Sequence, residues 1–164
     1  GNRSILADPR RPEMTDILNR RVKHREGFRP FAPSVLDREA NTYFEMPFPG
    51  PYMNIAAPVR SEFRKLIPAV THVDYSARIQ TVHEDTNERF YSLIKKFYEK
   101  TGCPVLVNTS FNVRGEPIVN SPKDAFDCFM GTELDLLVIG NYYLKKEDQN
   151  KDLAKNYANK FELD

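Results

Sequence analysis

With only two cysteines, Cys103 and Cys128, and neither in a CxxC spacing, the chain has no basis for a disulfide framework. Three scattered histidines, His24, His72 and His83, make no zinc-ligand pattern with them, which argues against a structural metal. No apolar run approaches the roughly 18 to 20 residues of a membrane span, and no charged region leads into an apolar signal core. Lysine and arginine number 24 against 23 acidic residues. A net charge of +1 gives no global attraction to nucleic acid or to an anionic membrane, so any anion site must be local. These absences describe a cytoplasmic, reduced protein. At 164 residues it is long enough to bury a core as one domain without staples.

What is present is concentrated in Cys103-Pro-Val-Leu-Val-Asn-Thr-Ser-Phe-Asn-Val-Arg-Gly-Glu-Pro117. Val105, Leu106 and Val107 fit a buried strand, and the chain then passes directly into Asn108, Thr109, Ser110, Asn112, Arg114 and Gly115, polar groups that an apolar core would exclude. In open α/β sheets, ligands lie beyond the carboxyl ends of strands, which makes this a place for chemistry. The same residues also suit a turn whose Asn and Ser side chains satisfy nearby backbone groups.

The remaining pattern alternates strand and helix, an α/β fold with a mixed sheet flanked by helices. Asp8 and Pro9 precede a helix over residues 12–23, with Met14, Ile17, Leu18 and Val22 on one stripe. Residues 28–36 carry two prolines and are expected as an extended edge segment, not a central strand. A short helix or turn over 37–44 follows, then a strand within 52–59 running into a helix at 60–66, a loop with His72, Asp74 and Ser76, and a strand over 77–83. Phe90, Leu93, Ile94, Phe97 and Tyr98 form the apolar stripe of a helix over 87–101 that Gly102 ends. Ser121-Pro-Lys-Asp124 supplies a capping hydroxyl, a first-turn proline and a carboxylate for a helix reaching about Met130. Leu134 to Ile139, the Gly140-Asn141 turn and Tyr142 to Lys145 read as a hairpin. The charged segment 147–164, with Leu153, Tyr157 and Phe161 at four-residue spacing, is set apart as a helical tail to the domain at 1–146.

Cations border these elements in three places: Lys23, Arg25 and Arg29; Arg78; and Arg114. Guanidinium and ammonium groups of this kind recognise phosphate or carboxylate, although a solvated or salt-bridged role is the commoner fate of any single arginine. An inward-facing Arg78 would need an anion, from a ligand or from a carboxylate such as Asp74. His72 with Asp74 offers either an oriented imidazole for proton transfer or a structural histidine in a loop.

Three motifs in order, Lys23-His-Arg-Glu-Gly-Phe-Arg-Pro-Phe-Ala-Pro-Ser-Val35, Pro68-Ala-Val-Thr-His-Val-Asp-Tyr-Ser-Ala-Arg-Ile-Gln80 and Asn108-Thr-Ser-Phe-Asn-Val-Arg-Gly-Glu-Pro117, resemble the carboxyl-terminal part of the O-carbamoyltransferases of the NodU and CmcH type. Gly1-Asn-Arg-Ser-Ile-Leu-Ala-Asp-Pro-Arg10 and Leu134-Asp-Leu-Leu-Val-Ile-Gly-Asn141 are similar to the same family, and the start without methionine fits either the interior of a longer chain or a processed or engineered start. The resemblance implies a YrdC-like domain that works with an amino-terminal Kae1-like domain. It implies binding of ATP and carbamoyl phosphate, formation of a carbamoyl-adenylate, and transfer to a hydroxyl acceptor, with Mg2+ accompanying ATP. The KxR and SxN signatures of YrdC-like modules are matched by Lys23-His24-Arg25 and Ser110-Phe111-Asn112. By position the resemblance carries over Lys23, Arg25, Arg29, Arg78, Asn108, Ser110 and Asn112 as substrate-binding residues, with Lys23, Arg78 and Ser110 closest to the chemistry. Tyr75 stands where the family commonly has glycine, and the arginine-containing segment that usually precedes Gly-Asn-Arg-Ser is absent. The competing expectation, a tRNA-type nucleic-acid-binding module, is disfavoured by the charge balance and by the lack of interleaved aromatic and basic residues.

Overall fold

Alternating strands and helices assemble here into an α/β architecture, described by a computed structural model over residues 2–154 and 157. In chain order the elements are β1 (Ser4–Ala7), α1 (Met14–Ile17) continuing as a π-helical segment Leu18–Val22, β2 (Ala32–Leu36), a 3-10 turn Asp37–Glu39, α2 (Ala40–Tyr43), β3 (Ile55–Pro58), β4 (Ser76–Val82), α3 (Glu88–Thr101), β5 (Val105–Ser110), α4 (Pro122–Met130), β6 (Leu136–Ile139) and β7 (Tyr142–Lys145). The chain divides into two compact units, Gly1–Thr15 with Pro30–Thr109, and Asp16–Arg29 with Ser110–Asp164.

The first unit is organised by a five-stranded sheet in the order β1-β5-β2-β4-β3. It is mixed: β2 runs parallel to β4 but antiparallel to β5, and β3 is antiparallel to β4. The proline-bearing segment is therefore not an edge. β2 is the middle strand, buried along its whole length, a correction to the expectation drawn from Pro30 and Pro33. Both prolines precede Ser34, where the parallel ladder to β4 begins, so that ladder forms downstream of the residues that cannot donate.

Register assigns the side chains to faces. Leu36, Val82 and Leu106 share one face at one end of the sheet, where α3 covers them with Phe90, Tyr91 and Ile94. Asn87 caps α3 by accepting the Phe90 N–H, and Gly102, at a φ of 71°, ends it in the left-handed conformation. The apolar stripe is displaced from the expected one, with Tyr91 buried and Leu93 half exposed to solvent. The helix expected at 60–66 is instead a series of turns held by bonds such as Phe63 N–H to Arg60 C=O. Ile67 precedes Pro68, and a residue before proline is steered out of the helical region.

In the second unit α4 begins with the expected capping box, Ser121 accepting from Asp124 N–H while the Asp124 carboxylate accepts from Ser121 N–H. β6 and β7 form the expected hairpin, in register from Leu136↔Lys145 to Ile139↔Tyr142. Of the tail, Lys146–Asp148 and Lys151–Leu153 are 3-10 turns, Tyr157 is buried, and Phe161 lies outside the described residues.

Candidate functional site

Five of the residues singled out by the motifs lie in the second unit: Lys23, Arg25, Arg29, Ser110 and Asn112. Lys23 sits just past the π-helical segment, with its N–H bonded to Leu18 C=O and its own C=O accepting from the Arg114 N–H at 3.0 Å. Its side chain is 3 % exposed. The ammonium donates to Ser110 O at 2.9 Å, Asn112 O and Asn112 Oδ1 at 2.7 Å each, and approaches Ser110 Oγ at 3.3 Å. The KxR lysine and the SxN residues, far apart in sequence, thus meet directly.

All of these acceptors are neutral, and among the described residues no carboxylate pairs with the buried ammonium at contact distance, the Glu116 charge acting on it from further off. Burial, and secondarily the nearby Arg25 charge, push the Lys23 pKa down to about 8. Three donors are shared among four acceptor atoms, and a ligand oxygen would reach the ammonium by taking the place of one of them. Ser110 Oγ–H donates to Asn112 Oδ1 at 2.6 Å, and Asn112 Nδ2 donates to Glu116 O at 2.6 Å, which closes the turn. Gly115, at a φ of 73°, permits that reversal, and Glu116 fixes it by accepting the Val113 N–H at 3.0 Å.

The loop between Lys23 and Arg29 has a second organiser that the sequence reading overlooked. Asn19 is fully buried, donates to Gly27 O and Arg29 O at 3.1 and 2.8 Å, and accepts from Arg25 Nε at 2.7 Å. The available signal was an amide between Leu18 and Val22, on what is otherwise the apolar side of a helix. Arg25 is half-buried, and burial followed by repulsion from Arg29 lowers its pKa. Glu26 receives Arg29 at 2.9 Å and Arg114 at 3.0 Å, and its carboxyl is held below the ordinary range by its own backbone N–H and then by these cations, Arg114 before Arg29. The loop is therefore a cation-rich surface organised by one amide and one carboxylate.

Arg78 and Asn108 belong to the first unit. Arg78 stands opposite Ala56 in register and is exposed, and among the described residues it takes part in no ion pair. Asp74 is occupied elsewhere, accepting Ser76 N–H at 3.0 Å and Ser76 Oγ–H at 2.7 Å. His72 Nδ1 lies 3.4 Å from that same Ser76 hydroxyl, so the imidazole is oriented by a serine and not by the carboxylate. Asn108, 4 % exposed, donates to Ser34 Oγ at 2.9 Å and Gln80 Oε1 at 3.0 Å, while Ser34 Oγ–H donates to Gln80 at 2.7 Å. Register and alternation place Ser34, Gln80, Arg78 and Asn108 on one face of the sheet, beyond the part that α3 covers. Ser34 and Gln80 were not anticipated, because their partnership depends on nonlocal pairing.

At Tyr75 the backbone takes a left-handed conformation of the kind glycine favours, with a φ of 64°. The Tyr75 ring lies under the Arg64 guanidinium at 4.2 Å. Two clefts in the first unit, of about 490 and 510 Å3, lie around His83 and Asp85, and none of the seven expected ligand residues lines either. Among the described residues no group of His, Cys, Asp or Glu is gathered to hold a metal, and no helix is long and apolar enough to cross a membrane.

With this geometry in place, similarity to known proteins becomes interpretable. A family model described as the carbamoyltransferase C-terminus matches residues 1–146. The chain belongs to that family. It is 50 % identical to an uncharacterized Synechocystis protein, sll1178, across the whole chain and 30 % of that protein. It is 52 % identical to the nodulation protein NolNO of Sinorhizobium fredii, over 89 % of the chain and 22 % of the relative, and 44 % identical to nodulation protein U of Bradyrhizobium diazoefficiens, over 70 % of the chain and 20 % of the relative. The chain therefore spans less than a third of the length of these relatives.

Proposed function

We propose that this carbamoyltransferase C-terminal domain binds ATP and carbamoyl phosphate and forms a carbamoyl-adenylate, which an amino-terminal Kae1-like domain of a longer chain transfers to a hydroxyl acceptor. The observation that carries this reading is Lys23, a buried cation whose hydrogen-bond acceptors among the described residues are all neutral oxygens of the SxN turn. Water first cleaves carbamoyl phosphate to carbamate and inorganic phosphate, and a carbamate oxygen then attacks the α-phosphorus of ATP and expels pyrophosphate, so the main demand is fixed positive charge and preorganised donors. Lys23 and Arg29 supply charge in the second unit and Arg78 supplies it in the first; Arg25, Asn108, Ser110 and Asn112 complete the proposed set. Among the described residues no carboxylate cluster is gathered for a divalent ion, so magnesium would arrive on the ATP phosphates. The YrdC-like character of the module rests on the KxR and SxN signatures meeting around one ammonium. A cytoplasmic location accords with substrates of this kind and with two buried free thiols.

Calorimetry of the folded chain with carbamoyl phosphate and ATP tests this. Heat that requires both a functional Lys23 and Arg78 is the expected result. A folded chain that gives no heat with either substrate contradicts the reading.

A further inference from the structure

We propose that Tyr157, which lies beyond the stretch matched by the family, is a positioning residue for the Lys23 cage. This rests on the reading above that the cage serves anionic substrates. Tyr157 is 3 % exposed, and its hydroxyl donates to Glu116 Oε1. Glu116 is the hinge of the turn: its other carboxylate oxygen accepts the Val113 N–H at 3.0 Å, and its backbone O accepts Asn112 Nδ2 at 2.6 Å. Asn112 in turn provides two of the oxygens around the ammonium. A continuous series of hydrogen bonds therefore runs from the tail to Lys23, entirely within the second unit.

Packing supports the same connection. The Tyr157 ring lies against the backbone of Gly131, at the end of α4, so closely that a Cβ there would collide with ring carbons. The absence of a side chain at Gly131 is thus what seats the ring. Cys128, fully buried in α4, is beside Glu116, and burial followed by the carboxylate pushes its thiol up to about 12. Glu116 is half-buried there, and each of its carboxylate oxygens takes a donor from the protein. Tyr157 is the donor for one of them. Without it Glu116 loses one of its anchors and keeps only Val113 N–H and the neighbouring Cys128, and the turn that aims Asn112 at Lys23 is held less firmly.

The test uses the full chain with Tyr157→Phe, which keeps the ring and removes only the hydroxyl, alongside Glu116→Gln, the double variant and Gly131→Ala. Amide hydrogen exchange at Val113 is expected to accelerate about ten-fold in Tyr157→Phe, more than at amides of the sheet in the first unit, and affinity for carbamoyl phosphate with ATP should fall by a similar factor. The double variant should do little more than either single one, because both remove the same link. Gly131→Ala should reproduce the exchange effect by unseating the ring. Wild-type exchange at Val113 together with wild-type affinity in Tyr157→Phe overturns the proposal. A wild-type chain that binds neither substrate overturns the functional reading instead, and Val113 exchange still decides whether Tyr157 holds the turn.

Discussion

Two buried polar networks, one in each unit, use similar side chains to different ends. On the sheet, Asn108, Ser34 and Gln80 bond at 2.7–3.0 Å in a neutral cluster of amides and a hydroxyl, and Gln80 Nε2 extends it to Pro51 O. Around Lys23, another amide and another hydroxyl supply oxygens of the same kind, but the donor is an ammonium. The first network completes itself: mutual donors and acceptors leave the strands locked in register. The second leaves an excess positive charge in a buried place, with its pKa driven down to about 8. A neutral cluster whose hydrogen bonds are already made gains less from an anion than a desolvated cation does. The difference teaches that burial and hydrogen bonding alone do not mark a site; a desolvated charge held by neutral dipoles, with no carboxylate in contact, does.

Replacing Lys23 with methionine should break the comparison most severely. Removing a charged donor costs about 1.5–3 kcal/mol per lost interaction, so affinity for carbamoyl phosphate with ATP should fall about 100-fold by calorimetry. Ser34→Ala makes the opposite break. It removes the hydroxyl shared by Asn108 and Gln80, and urea unfolding should show a loss of about 1–3 kcal/mol. Unchanged stability in Ser34→Ala would show that the neutral cluster does not hold the sheet.

A pH series sharpens the contrast next. Lys23 is charged below its pKa of about 8 and neutral above it, so attraction to an anion is fully present at lower pH and is lost as pH rises through 8. Affinity should fall toward ten-fold per pH unit above that point, and Asn108, having no proton to lose, should impose no such dependence. The smallest expected effect is at Tyr75. Alanine there loses the stacking with Arg64 but keeps the left-handed backbone, while glycine relieves it, so Tyr75→Gly should be more stable than Tyr75→Ala by about 1 kcal/mol in urea unfolding.

Local chemistry was the part of this molecule legible in the sequence. Ser121 and Asp124 cap α4, Asn87 and Gly102 bound α3, and Gly140-Asn141 turns the hairpin, because each of these devices acts within a few residues. The Lys23 cage was reached through the KxR and SxN motifs, which name its members without giving their contacts. Nonlocal pairing was what escaped. Pro33 argued for an edge, yet two distant strands flank β2 on either side. Asn19 and Gln80 look ordinary in sequence, and their roles exist only once the loop at 25–29 folds back and β4 aligns with β2. Tyr75 was informative in another way, since its backbone takes the left-handed conformation that glycine adopts most readily, as the resemblance to a family with glycine there would lead one to expect.

The central claim is that the Lys23 ammonium is a desolvated cation awaiting an anion. Lysine side-chain NMR of the chain, with carbon and nitrogen labels at the amine end, reads its titration directly. The account predicts a midpoint near 8 for Lys23 in the free protein, and an upward shift once carbamoyl phosphate and ATP are added. A midpoint at the ordinary lysine value of about 10.4, or one that stays fixed with both substrates at saturation, would contradict it.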